Sequence, residues 1–102
     1  MFGELFALFG RRKPQEPRPL NDLTIVMYSR QGCHLCDEAW QRLREQQVRY
    51  HFKLDKQDVD SDTTLATLYG EWVPVVTFNG KVRFRGGVNP VLLERLLAQL
   101  AV

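Results

Sequence analysis

Thr24-Ile25-Val26-Met27-Tyr28-Ser29-Arg30-Gln31-Gly32-Cys33-His34-Leu35-Cys36 is the stretch whose reading decides the fold. Its first six residues are apolar and β-branched, the pattern of a buried strand. Asp37 to Gln46 reads as a helix, and the two cysteines of the chain fall at its start. Two intervening residues let both sulfurs meet at the first helical turn, so a disulfide opens and closes with little backbone movement. The start of a helix carries partial positive charge and free N–H groups, and both favour a thiolate at Cys33. Strand, short turn and C-x-x-C at a helix start form the pattern of a dithiol redox site.

Composition narrows the remaining possibilities. A chain of 102 residues is long enough for one domain with one core and too short for two. A net charge of +2 gives no argument for nucleic acid. Arg11-Arg12-Lys13 has no interleaved aromatic residues and reads as a solvated flank. Two closely spaced cysteines exclude the multi-bridge framework of small secreted domains. They suit a reducing compartment in which the pair cycles, so a cytoplasmic location is expected. No stretch approaches the length of a membrane span, and a monomer is expected.

Residues 1–21 read as an apolar segment and a Pro-rich linker. Phe2, Leu5, Phe6 and Phe9 fall on one helical stripe. The basic residues follow this run instead of preceding it, and no small-residue cleavage site is evident, so it does not read as a signal peptide. Its polar face lacks the Lys/Arg of a membrane-surface anchor. Pro14, Pro17 and Pro19 make Lys13 to Leu20 extended and polyproline-like. The folded domain, residues 22–102, is expected to begin near Asp22.

From there the pattern is regular. Strand one is Thr24–Ser29. Helix one is Cys33–Gln46, with Leu35, Ala39, Leu43 and Trp40 toward the core and Asp37 and Glu38 in its first turn. Strand two is Tyr50–Asp55, where Tyr50, Phe52 and Leu54 alternate with His51 and Lys53. Helix two is Asp62–Tyr69, with Asp60 or Ser61 as its N-cap and Gly70 as its stop. Val75–Phe78, Asn79-Gly80 and Lys81–Arg85 read as a hairpin, for which Asn-Gly is the strongest short signal. Gly86-Gly87 breaks the strand, and Asn89-Pro90 offers an N-cap with proline at the first helical position. Helix three runs to the end of the chain, with Leu92, Leu93, Leu96, Leu97 and Leu100 as its apolar face. The order βαβ, α, ββα gives an α/β fold with a four-stranded mixed sheet flanked by helices. The βαβ half demands parallel strands, and one hairpin strand is antiparallel to its neighbours.

Four landmarks in this order resemble the glutaredoxin family, the compact form of the thioredoxin-like fold. They are Ser29–Cys36 after its strand, Tyr69-Gly70-Glu71-Trp72-Val73-Pro74-Val75-Val76, Phe78-Asn79-Gly80-Lys81 at the hairpin, and Gly86-Gly87 before the last helix. The resemblance covers Thr24 to Val102 and leaves the N-terminal segment outside. It implies that Cys33 is the nucleophile, and placement agrees: Cys33 lies at the exposed end of the helix and Cys36 a turn inward. Cys36 is then the resolving thiol, which attacks the mixed disulfide. The resemblance also implies a cis Val73-Pro74 bond facing the cysteines, with the Val73 backbone able to pair with an extended substrate.

Residues implied for substrate or glutathione are Arg30, His34, Val73, Pro74, Gly86, Gly87 and Asn89. The family uses a basic residue three before the nucleophile, which Arg30 supplies. It uses Thr-Val-Pro, where Trp72 stands for the threonine. It places an acid after Gly-Gly, where the sequence reads Val88-Asn89-Pro90. Asn89 accepts a hydrogen bond but brings no charge to a glutathione ammonium group. A charged His34 between the cysteines favours the thiolate, and Asp37 and Glu38 oppose it.

The expected partner is a protein disulfide or glutathione, with glutathione or a thioredoxin reductase as the source of electrons and no bound cofactor. Two other readings stand beside this one. A binding module with the same fold would hold a partner strand in its cleft and carry the cysteines incidentally. An iron–sulfur or metal site would need a second chain or glutathione, because a lone C-x-x-C supplies two thiolates where four ligands are wanted. No resident metal is expected.

Overall fold

The computed structural model describes residues 17–102; the readings of Met1–Gly10 and of the basic run fall outside them. Strand β1, Thr24–Ser29, lies inside the sheet with its side chains alternating between buried and half-buried. Helix α1, His34–Tyr50, packs Cys36, Ala39 and Leu43 into the core. These positions recur at three- and four-residue spacing, the stripe a helix presents to a sheet. Strand β2, Lys53–Asp58, pairs parallel with β1 from Thr24↔Lys53 to Ser29↔Asp58. A 3-10 turn at Val59–Ser61 leads to α2, Thr63–Tyr69, and a second at Gly70–Trp72 leads to the hairpin.

The hairpin strands are β3, Val75–Phe78, and β4, Lys81–Arg85, followed by α3, Pro90–Leu100. The sheet order is β2-β1-β3-β4, and β3 runs antiparallel to both neighbours, as the sequence pattern predicts. Asn79 and Gly80 take φ of 50° and 85°, the left-handed pair that a two-residue hairpin needs. The Asn79 side chain also accepts the Thr24 N–H at 2.8 Å, which fastens the turn to the start of β1.

The main core lies between the sheet and the pair α1 and α3, where Ile25, Met27, Leu43, Val76, Leu93 and Leu97 are essentially inaccessible. Truncating one such leucine to alanine costs about 2–5 kcal/mol. α2 has no fully buried residue. Tyr69 of α2 and Tyr28 of β1 bring their rings to 4.7 Å between centroids. Burial, then the neighbouring Tyr69, then Asp55 push the Tyr28 phenol above its ordinary range, so it stays neutral near neutrality.

Several boundaries differ from the sequence reading. Tyr50 closes α1 and does not open a strand; His51, at φ 61°, caps the helix, with its N–H on the Gln47 carbonyl at 2.8 Å. β2 therefore starts at Lys53. Its residues are mostly exposed, because it is an edge strand set by pairing with β1 and not by an apolar face. Leu35 is 51% exposed, one residue off the Cys36–Ala39–Leu43 stripe. Trp40 is half-buried, with the Lys56 ammonium 4.5 Å from its ring centroid.

Asp62, not Asp60 or Ser61, caps α2 by accepting the Thr64 N–H at 2.8 Å. Gly70 ends α2 as expected, with its N–H on the Ala66 carbonyl, but at a right-handed φ of −55° it also starts the next 3-10 turn. Leu92 and Leu100 flank the buried Leu93–Leu97 stripe of α3 and remain exposed. Leu20, read as linker, is buried in the core and donates its N–H to the Tyr50 carbonyl at 2.8 Å.

Candidate active site

Strand pairing assembles the site. β1 and β3 are antiparallel with Tyr28 opposite Val75. The loop leaving β1, residues 30–33, therefore meets the segment entering β3, residues 72–74, at one end of the sheet. β4 ends at the same place, since Arg85 lies opposite Val75. Gly86 joins the pieces: its N–H reaches the Trp72 carbonyl at 2.8 Å and the Pro74 carbonyl at 2.9 Å. The Val73–Pro74 bond between those carbonyls is cis, and Pro74 is fully buried. The Val73 carbonyl takes none of these loop hydrogen bonds.

Cys33 and Cys36 are joined as a disulfide with their Cα atoms 5.1 Å apart. Gly32, at φ 77°, turns the chain from the strand to the helix in a conformation that side-chain-bearing residues rarely adopt. Cys33 is the N-cap residue of α1, and its Sγ accepts the Cys36 N–H at 3.1 Å. A sulfur in that position receives a backbone donor and faces the positive end of the helix dipole, so negative charge on it is favoured. Cys33 is partly exposed, whereas Cys36 is 2% exposed. The two sulfurs thus differ in access. Cys33 is open to solvent on one side, and Cys36, bonded to it, is covered.

Arg30 is brought to this end of the sheet, but its guanidinium is already engaged. Nε and Nη2 each lie 2.9 Å from a carboxylate oxygen of Asp60, a two-pronged pair. Nη1 donates to the Gly70 carbonyl at 3.1 Å. A Cβ at position 70 would lie 2.8 Å from Nη2, so a side chain there would push the tip of Arg30 aside. The hydrogen bond from Arg30 holds the Asp60 carboxyl below its ordinary range, and the bond to Asp60 raises the guanidinium in turn. One side chain therefore ties the cysteine loop to both 3-10 turns.

Asn89 is committed as well. Its Oδ1 accepts the N–H groups of Val91 at 2.9 Å and Leu92 at 3.1 Å, and so caps α3. Gly86, Gly87 and Asn89 line a groove with Leu35, Ala39 and Arg42, with Gly86 and Gly87 at positive φ. His34 is exposed between the cysteines. The sequence reading missed Asp60 and Gly70 as partners of Arg30. They lie 30 and 40 positions away, and nothing local marks them. Among the described residues no three His, Cys, Asp or Glu side chains converge as metal ligands, and no helix is long and apolar enough to cross a membrane.

Comparison with known proteins places this geometry. Residues 24–100 match the family model described as a glutaredoxin-like domain (DUF836). A search of curated proteins finds no match. The solution structure of protein Ne2328 from Nitrosomonas europaea is similar, with 29% identity, a TM-score of 0.61 and coverage of 83% of this chain and 96% of that one. The X-ray structure of XcR50 from X. campestris shows 26% identity, a TM-score of 0.60 and coverage of 72% and 93%. Oxidised thioredoxin from Plasmodium falciparum, at 24% identity, a TM-score of 0.59 and coverage of 80% and 84%, shares the fold.

Proposed function

Since the chain belongs to the glutaredoxin-like domain family, we propose that it is a dithiol–disulfide oxidoreductase in which Cys33 attacks and Cys36 resolves. The observation that carries this reading is the position of the pair: a partly exposed sulfur capping a helix, joined to a buried one a turn inward. Structural cysteines need no such placement.

The reaction balances as two exchanges. The Cys33 thiolate attacks one sulfur of a substrate disulfide, forming a mixed disulfide and releasing the other substrate sulfur as a thiolate. Cys36 then gives up its proton and attacks the Cys33 sulfur, expelling the second substrate thiolate. The released thiolates take up protons. The substrate gains two electrons and the protein holds the Cys33–Cys36 disulfide. An external thiol, from glutathione or a dithiol reductase such as thioredoxin reductase, returns the pair to its reduced state by the same chemistry.

The substrates proposed are a protein disulfide or a glutathione mixed disulfide, and the working state is a cytoplasmic monomer. Supporting a protein substrate, the polar groups of the family's glutathione pattern are occupied here: Arg30 by Asp60 and Gly70, and Asn89 by the α3 cap. The test is a disulfide-reduction assay run in parallel with glutathione plus its reductase and with a thioredoxin system. Turnover in either arm supports the proposal. No turnover in both arms, with a chain that forms no Cys33–Cys36 disulfide on oxidation, would sink it.

A further inference from the structure

The two tryptophans of this chain are treated differently. Trp40 is half-buried and its ring is covered by the Lys56 ammonium. Trp72 is 54% exposed. Among the described residues its ring joins no aromatic pair and no cation–π contact, and its indole N–H donates no hydrogen bond. Its backbone is nonetheless pinned. The Trp72 carbonyl takes the Gly86 N–H at 2.8 Å, and the turn it ends begins at Gly70, whose carbonyl is held by Arg30. A fixed backbone presents an uncovered indole.

The position of this indole matters. Val73 and the buried Pro74 follow directly, and Gly86 ties Trp72 to the groove of about 360 Å³ that Leu35 lines. Leu35, 51% exposed, sits between the cysteines. Two large apolar side chains that the core does not use thus stand in segments next to the redox pair and the Val73–Pro74 bond, Leu35 in the first turn of α1 and Trp72 at the end of the turn before β3. Exposed apolar residues are ordinary when scattered over a surface; these two differ in their place, in the segments that carry the cysteines and the cis bond.

We propose that Trp72 is a specificity-determining residue: its indole receives a large apolar side chain adjacent to the cysteine of an extended polypeptide disulfide as Cys33 attacks that disulfide. This rests on the oxidoreductase reading. Glutathione offers no such side chain beside its cysteine. A polypeptide does, while its cysteine N–H meets the Val73 carbonyl in the manner of an added strand, as that of glutathione would. Indole is suited to the task because it supplies a large rigid contact at little conformational cost.

The experiment uses two synthetic peptides of equal length, each with one intramolecular disulfide. They differ in the residue next to the attacked cysteine, leucine in one and aspartate in the other. The full chain is pre-reduced and freed of reductant. Single-turnover rates are then read by mass spectrometry, so the protein dithiol is the only electron source. The leucine peptide should react about tenfold faster with the native chain, the scale on which an apolar contact discriminates. In Trp72→Thr that ratio should fall below about twofold, while Trp72→Phe should keep most of it. Val48→Ala, a change at an exposed apolar residue of α1 away from these loops, should leave the ratio as it is. A lost fold would lower both rates together and not the ratio. Equal rates in the native chain, or a ratio that survives in Trp72→Thr, overturn the inference and leave the oxidoreductase reading standing. A native dithiol that reduces neither peptide overturns both.

Discussion

Two sets of side chains meet at one end of the sheet and are used in opposite ways. The cysteine turn, Gly32 to Cys36, is left chemically open: Cys33 is partly exposed and its sulfur faces the helix start. The polar rim around it, Arg30 and Asn89, is closed. Arg30 is spent on Asp60 and Gly70, and Asn89 on the first turn of α3. The rim holds three loops in register so that the pair can sit at their junction. Polar residues near a reactive group are easily read as ligands for a substrate; here their hydrogen-bonding capacity is largely used within the chain. On the proposed oxidoreductase reading, apolar surface and backbone are then what the site has left to offer a substrate.

The cysteine turn can be tested hardest. Cys33→Ser should remove disulfide reduction altogether, a loss of about a thousandfold or more for a missing nucleophile. Cys36→Ser should still attack and should accumulate a mixed disulfide, seen by non-reducing electrophoresis and mass, because no resolving thiol remains. Trapping only in Cys33→Ser would reverse the two roles.

On the rim the effects should appear as stability. Asn89→Ala leaves two N–H groups of α3 without their acceptor and should cost about 1 kcal/mol, a fall in Tm of about 4–8 °C for a domain of this size. No change in Tm would mean that the cap does not hold the rim.

The Arg30–Asp60 pair should give a smaller effect, and one that depends on pH. Its side chains are 39% and 51% exposed, so solvent screens it. Asp60 is held below the ordinary carboxylate value of about 4 by its bond to Arg30. A carboxyl whose folded value is depressed stabilises the protein above its unfolded value and loses that contribution as pH falls through the folded one. Asp60→Asn should therefore be slightly less stable than the native chain at pH 7, and the two melting curves should converge below about pH 4. A gap that stays constant with pH would assign the loss to packing and not to the ion pair.

How much of this could be read from the chain depended on how local the cause was. The cysteine turn, the Asn79-Gly80 hairpin and the Asn89-Pro90 cap are signals a few residues long, and each stands where its residues put it. The alternation of Tyr50, Phe52 and Leu54 points to a strand that starts three residues before β2 does. Tyr50 is buried at a helix end and Phe52 in the connection, and both belong to one core that a periodicity count cannot separate. The neighbours of Asp60 mark it as a helix cap, yet its partner is a guanidinium 30 residues earlier. The turn after β2 becomes the neighbour of the cysteine loop only because β2 lies alongside β1. Long-range pairing of this kind is set by topology, and no short motif announces it.

The comparison between open turn and closed rim is sharpened most finely with glutathione. A glutathione ammonium meets no acid after Gly86-Gly87, and a charged hydrogen bond is worth about 1.5–3 kcal/mol. Glutathione affinity and turnover should then lie roughly ten- to a hundredfold below those of an ordinary dithiol glutaredoxin. Asn89→Asp asks whether the missing charge is the whole cause. Aspartate caps a helix as well as asparagine does, so the fold and Tm should be kept. A side chain free to turn into the groove would recover part of the lost activity. One held by Val91 and Leu92 keeps its oxygen on those two donors and lends the groove only a screened charge. The expected gain is therefore below about threefold, less than one charged bond would supply. It is to be measured as kcat/KM for a glutathione mixed disulfide in both proteins. Recovery of tenfold or more would show that the cap gives way to the ligand, and the division between open turn and closed rim would fail at Asn89.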